Sequence, residues 1–127
     1  GETIVQMYGG PSTDTDDVSA FDVPEDGLIK GYMMDLQAPS MVAGKEMQAE
    51  ISFLSTSQFT TNDARGLIGR CSMATNTVST NGGGNAQGYA TQKFDKGITV
   101  AAGERVHLHF ETSDSVLCRI HVLLIFE

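Results

Sequence analysis

The sequence predicts an all-β protein: a single-domain, antiparallel jelly-roll-like β-sandwich of about eight or nine strands. Three observations carry that reading. Apolar and polar residues alternate with a period of two through most of the chain, the pattern of strands with one buried face. Clusters of Gly, Pro, Asn and Asp break the alternation every ~8–12 residues, as turns do. No stretch supplies the crossover helices that a parallel sheet requires. Long gaps between some strands and tight turns between others favour a jelly roll over a simple meander.

Thr3 to Tyr8 is rich in β formers and is closed by Gly9-Gly10-Pro11. Ser12 to Asp17 reads as an acidic loop. Val18 to Val23 alternates again and ends at the tight turn Pro24-Glu25-Asp26-Gly27. Leu28 to Gln37 is a long strand with Tyr32, Met34 and Leu36 on one face, followed by a loop around Pro39. Lys45 to Leu54 fits both a helix and a strand. The strand explains more residues, because Met47, Ala49, Ile51 and Phe53 separate cleanly from Glu46, Gln48, Glu50 and Ser52. Ser55 to Arg65 is a polar loop, Gly66 to Ala74 a weaker strand, and Thr75 to Gly88 the longest irregular stretch. Tyr89 to Phe94 and Ile98 to Ala101 are short strands around the turn Asp95-Lys96-Gly97. Arg105 to Glu111 and Val116 to Phe126 read as a terminal hairpin. The register that unites their apolar faces sets Phe110 against Cys118, Leu108 against Ile120 and Val106 against Val122.

The chain has 127 residues, 40% hydrophobic and 19% charged, which suits one soluble domain of residues 1–127 with a sizeable core. Nothing at Gly1 reads as a charged-then-apolar leader. No apolar run reaches the ~20 residues of a membrane helix. Sixteen acidic residues against eight basic ones give a formal charge of −8. That balance disfavours direct contact with nucleic acid, and the Lys and Arg residues are scattered. Cys71 and Cys118 form no disulfide framework or metal-ligand spacing and read as buried, reduced thiols, although one bridge between them is open.

In the hairpin register, His107, His109 and His121 share the polar face with Arg105 and Arg119. A solvated face is the ordinary reading. A pH-responsive contact and a metal site are the alternatives, since clustered imidazoles repel one another when charged and bind zinc when neutral. Leu123 and Ile125 fall on that otherwise polar face, which makes the last strand apolar on both sides. Together with His107, His109 and His121 they mark an expected oligomer interface. Asp14, Asp16 and Asp17 read as a solvated acidic loop rather than a calcium site, because Val18 and Ser19 stand where an oxygen ligand and a Gly belong. Gly82-Gly83-Gly84 lacks the Lys-Ser or Lys-Thr of a phosphate loop. No nucleophile lies beside a His and an orienting acid, so catalysis is not expected, and no cofactor is implied.

Val23-Pro24-Glu25-Asp26-Gly27-Leu28-Ile29 resembles the turn and strand that open many small trimeric jelly rolls. The stretch from Val100 through Ala101-Ala102-Gly103-Glu104-Arg105 to Leu108 resembles their late turn. The pattern is similar to complement-type and tumour-necrosis-factor-type trimers. It is also similar to small jelly-roll structural proteins of tailed bacteriophages, among them capsid decoration (cement) proteins and fibre heads. The phage resemblance implies a homotrimer on the virion surface, assembled in the host cytoplasm, that clamps the major capsid protein where its subunits meet. It implies a capsid-binding arm in residues 1–11, with Ile4, Val5, Met7 and Tyr8 as contacts. The loop tip Asn81, Gly82, Gly83, Gly84 and Asn85 is a second candidate contact. Two alternatives remain. One is a receptor- or glycan-binding head that uses the loops Ser55–Arg65 and Thr75–Gly88. The other is a cupin-like metalloenzyme that uses His107, His109, Glu111 and His121.

Overall fold

Alternation requires each long strand to bury one side, and the chain satisfies this by stacking two sheets. The computed structural model describes residues 1–12, 16–41, 46–55, 57–59, 66–74, 84–112 and 118–127. The strands are β1 (Thr3–Ser12), β2 (Asp16–Asp22), β3 (Gly27–Met41), β4 (Glu46–Ser52), β5 (Leu67–Ala74), β6 (Gly84–Val100), β7 (Arg105–Thr112) and β8 (Cys118–Phe126). Sheet A has the order β1-β8-β3-β6 and sheet B the order β2-β7-β4-β5, all antiparallel. The pairs nest: β1 with β8, β2 with β7, β3 with β6, β4 with β5. Rolling such a ribbon sends alternate pairs to opposite sheets, and β8–β3 and β7–β4 pairing then closes each one. That is a jelly roll, the expected class. No helix occurs among the described residues.

The core lies between the sheets. Tyr32, Met34 and Leu36 of β3 and Ile120, Val122 and Leu124 of β8 face Met47, Ala49 and Ile51 of β4 and Val106, Leu108 and Phe110 of β7. Enclosing one Leu, Ile or Met contributes about 2 kcal/mol relative to exposure. Large and small residues interlock across the gap. A Cβ on Gly69 would stand 2.3 Å from Tyr32 Cζ, so the Tyr32 ring occupies the space that a side chain there would fill. Burial raises the Tyr32 pKa, with Cys71 adding to the shift.

The two turns that carried the family resemblance meet in space. Val23 N–H donates to Glu104 O at 2.8 Å, Gly103 N–H donates back to Val23 O, and Ala102 N–H donates to Asp26 Oδ1 at 2.9 Å. Nesting explains this, because the β2–β3 and β6–β7 turns lie side by side when β2 pairs β7 and β3 pairs β6. Gly103 takes φ +89°, which a larger residue would resist.

Several expectations are corrected. The terminal hairpin does not form: β7 lies in sheet B and β8 in sheet A. Cys118 pairs with Ser12, Ile120 with Gly9 and Leu36, and Val122 with Met7 and Met34. Matching apolar faces is equally satisfied by strands that face each other across a core, so period two did not distinguish the arrangements. The two short strands around Gly97 are one strand, β6. Four residues, 94–97, bulge between Lys93 and Ile98 where β3 spends only Lys30. Gly97 allows this with φ +74°. Gly10-Pro11 and Pro39 likewise sit where register shifts, within β1 and β3 rather than in loops. The expected N-terminal arm is β1, the edge strand of sheet A. Asp16 and Asp17 belong to β2; Asp14 lies outside the described residues.

Candidate binding surface

Sheet A turns an open face away from the core, and register sets out its rows. Ile4, Ile125, Gly31 and Lys93 are opposed across β1, β8, β3 and β6. Gln6, Leu123, Met33 and Thr91 form the next row, and Tyr8, His121, Asp35 and Tyr89 the third. Ile4, Tyr8 and Tyr89 are 59%, 61% and 57% exposed, the large hydrophobics left most open among the described residues. Leu123, Ile125 and Met33 are half-buried by their neighbours. Within the first two rows Ile4, Ile125, Leu123 and Met33 therefore make an apolar stripe, bordered by Gln6, Lys93 and Thr91, and the third row is polar and aromatic.

The aromatic end is pre-assembled. The Tyr8 and His121 rings stack, centroids 4.4 Å apart and planes within 5°. Gln6 Oε1 accepts from Tyr8 Oη and lies 3.0 Å from His121 Nε2, which places a proton on that nitrogen. Gln37 Nε2 donates to Asp35 Oδ2 at 3.1 Å. A cleft of about 260 Å³ opens here, lined by Tyr8, Gly9, Asp35, Gln37, Arg119, Ile120 and His121.

Sheet B treats its outer face differently. Register aligns Arg70, Glu50 and His109 across β5, β4 and β7. Glu50 is fully buried there, although it points away from the core. Its Oε2 accepts from Arg70 Nε at 3.2 Å and its Oε1 from Gln58 N–H at 2.6 Å. Arg70 Nη2 donates to Gln58 O, and its guanidinium lies 5.4 Å over the Phe59 ring. His109 Nε2 is 3.1 Å from Leu54 O. The segment following β4 thus lies over this face and is held by it. Beyond that cover, Arg105 grips Asp22 with Nε at 2.6 Å and Nη2 at 3.1 Å. The Arg105 hydrogen bond holds the Asp22 carboxyl below its usual range.

The structure divides the residues proposed from sequence. It gathers Ile4, Tyr8, His121, Leu123 and Ile125 on one face. Val5 and Met7, expected as capsid contacts, point inward, because alternation along β1 sends them to the core; Met7 is buried. His107 and His109 are buried on the outer side of sheet B, with ring centroids 5.8 Å apart. His121 stands on the opposite side of the sandwich. The three histidines therefore form neither one metal set nor one interface, and Glu111 does not complete a cupin-like site with them. Among the described residues no cluster of three His, Cys, Asp or Glu converges for a metal. Gly84 and Asn85 open β6 rather than cap a loop, and residues 81–83 lie outside the described residues. Cys71 is a free, buried thiol whose pKa is raised by burial and further by Asp35. Sequence reasoning missed Met33, Asp35 and Tyr89 on the open face; their signal was outward alternation in β3 and β6. It also missed the Glu50–Arg70 pair, for which local sequence held no signal, since Arg70 comes from the next strand, twenty residues on.

No protein-family model matches the chain, and no curated protein sequence does. Among solved structures it is similar to one from Desmodium yellow mottle tymovirus, at 13% identity, covering 98% of this chain and 84% of that one, TM-score 0.40. It is similar to the C-terminal CBM6 of LamC from Zobellia galactanivorans, at 11% identity, covering 98% and 100%, TM-score 0.42. It is also similar to the VP2 subviral particle of infectious bursal disease virus, at 8% identity, covering 100% and 39%, TM-score 0.25. These likenesses are distant, and the jelly-roll assignment rests on strand order instead.

Proposed function

We propose that this protein is a viral structural protein of the capsid decoration type, a homotrimer seated on a shell of major capsid protein at the virion surface. The observation that carries the reading is the apolar stripe of Ile4, Ile125, Leu123 and Met33 on the open face of sheet A. A contiguous apolar patch on a soluble domain marks a protein contact. The other outer face is partly covered by the chain itself and is charged where it is open, so sheet A is the apolar side left to meet a neighbour. Copies join through the stripe. The free edge of β1 offers unpaired N–H and C=O groups to the shell. The charge of −8 suits the outside of a nucleic-acid-filled particle, where an inward position would meet phosphate repulsion.

Light scattering at neutral pH tests the assembly. The wild type should show three times the 13.6 kDa of one chain, and Leu123→Asp should reduce it to a monomer. A monomeric wild type, or a Leu123→Asp variant that remains trimeric, would remove the stripe from the assembly.

A further inference from the structure

We propose that the cleft at the bulged end of sheet A binds a neutral pyranose sugar. Shape comes first. β1 and β8 stay in register from Thr3↔Phe126 to Gly9↔Ile120, and then the register shifts before Ser12↔Cys118. A bulge bends its strand and parts it from its partner, and such sites recur beside binding clefts. Gly9 and Ile120 lie opposed beside the opening and line it. Gly9 adds no side chain, so main chain forms the wall at that point. The volume of about 260 Å³ is below the usual range for a drug-sized ligand and suits one ring.

The lining supplies the chemistry. A pyranose has an apolar C–H face and a rim of hydroxyls that both donate and accept. Tyr8 offers an aromatic surface, exposed to solvent and held in place by its stack on His121 and its bond to Gln6. An aromatic face already fixed loses little freedom when a ligand packs on it. Asp35 can only accept hydrogen bonds, Arg119 can only donate, and Gln37 does both. Vicinal hydroxyls match that mixture, whereas a purely anionic or cationic group matches half of it. Asp35 and Arg119 also offset each other in charge, which leaves no net field to favour an ion. The site lies four residues along β1 from Ile4, on the order of 13 Å. Leu123, two residues along β8 from His121, brings the near end of the apolar stripe within about 7 Å, but none of the stripe's residues lines the cleft, so the site does not depend on the assembly reading.

Amide NMR titrations test this with methyl glucoside, methyl galactoside, methyl N-acetylglucosaminide and the anionic N-acetylneuraminate. At least one neutral sugar should give saturable millimolar shifts at Gly9, Asp35, Arg119 and His121. Tyr8→Ala and Arg119→Gln should each weaken it by about tenfold while the rest of the spectrum is retained. Tyr8→Phe, which keeps the ring, should bind nearly as the wild type does. Ile4→Asp, at the far end of the stripe, should leave sugar affinity unchanged, which separates this site from the assembly face. The proposal is overturned by silence toward every neutral sugar, by shifts that map outside the cleft, or by a response confined to N-acetylneuraminate. Unchanged affinity in both Tyr8→Ala and Arg119→Gln would overturn it equally.

Discussion

The two outer faces of the sandwich carry opposite solutions to the same problem. Sheet A presents Ile4, Leu123, Ile125 and Met33 with no other part of the described chain laid over them. Sheet B presents Glu50, Arg70 and His109, and Leu54 and Gln58 of the chain after β4 bond across them. The apolar outer face is open, and the charged one is closed around Glu50 and His109. A protein that folded only for itself would gain by the reverse arrangement, since apolar area favours cover and charge favours water. The difference teaches where the chain ends its own folding and where it leaves surface for another molecule.

Removing the centre of the closed face should produce the largest effect. Glu50 is fully enclosed and bonded to both Arg70 and the Gln58 N–H. Glu50→Ala strands that N–H under the cover and should cost about 3 kcal/mol in urea unfolding. Glu50→Gln keeps an acceptor for Gln58 but not the ion pair, and should lose less. A Glu50→Ala variant within about 0.5 kcal/mol of wild type would mean that the cover holds without its carboxylate. On the open face the contrast should be plain. Leu123→Asp, followed at a dilution where copies are apart, should shift stability by about 1 kcal/mol or less, because the residue gives up little enclosure. A loss as large as that of Glu50→Ala would mean that Leu123 serves the fold rather than a contact.

This contrast also marks how far the sequence could be read. Alternation in Leu28 to Gln37, Lys45 to Leu54 and Arg105 to Glu111 told correctly which side chains reach the core, since burial and period two are one fact. It could not tell what lies over the other side. His107 and His109 read as a solvated face, yet they are buried, and the chain that runs on from β4, the strand beside β7, reaches His109 through Leu54 O. Leu123 and Ile125 did announce themselves, since an apolar residue on a polar face is visible locally. The hairpin register failed for a related reason. Val106 and Val122 both point to the core, but from opposite sheets, and one-dimensional matching treats facing strands and paired strands alike. The jelly-roll expectation already contradicted that hairpin, because nesting places consecutive strands β7 and β8 in different sheets.

The smallest effect belongs to the second ion pair of sheet B, which tests whether cover or charge makes Glu50 matter. Asp22 and Arg105 meet in a closer, two-pronged geometry than Arg70 and Glu50, but both are well exposed. Exposed pairs are screened and lose side-chain freedom, so good geometry contributes little. Asp22→Asn should therefore lower the melting temperature far less than Glu50→Ala, and its effect should be limited by pH. The Asp22 carboxyl is held below its ordinary value of 3.8 by Arg105. A depressed folded pKa adds stability above the unfolded pKa, and that stability is lost as pH falls through the folded value. Wild type and Asp22→Asn should thus differ slightly at neutral pH and converge below pH 3.8. High salt at neutral pH should bring them together as well. If Asp22→Asn cost as much as Glu50→Ala at neutral pH, geometry would outrank enclosure on this face, and the cover would be incidental to the strength of the Glu50 pair.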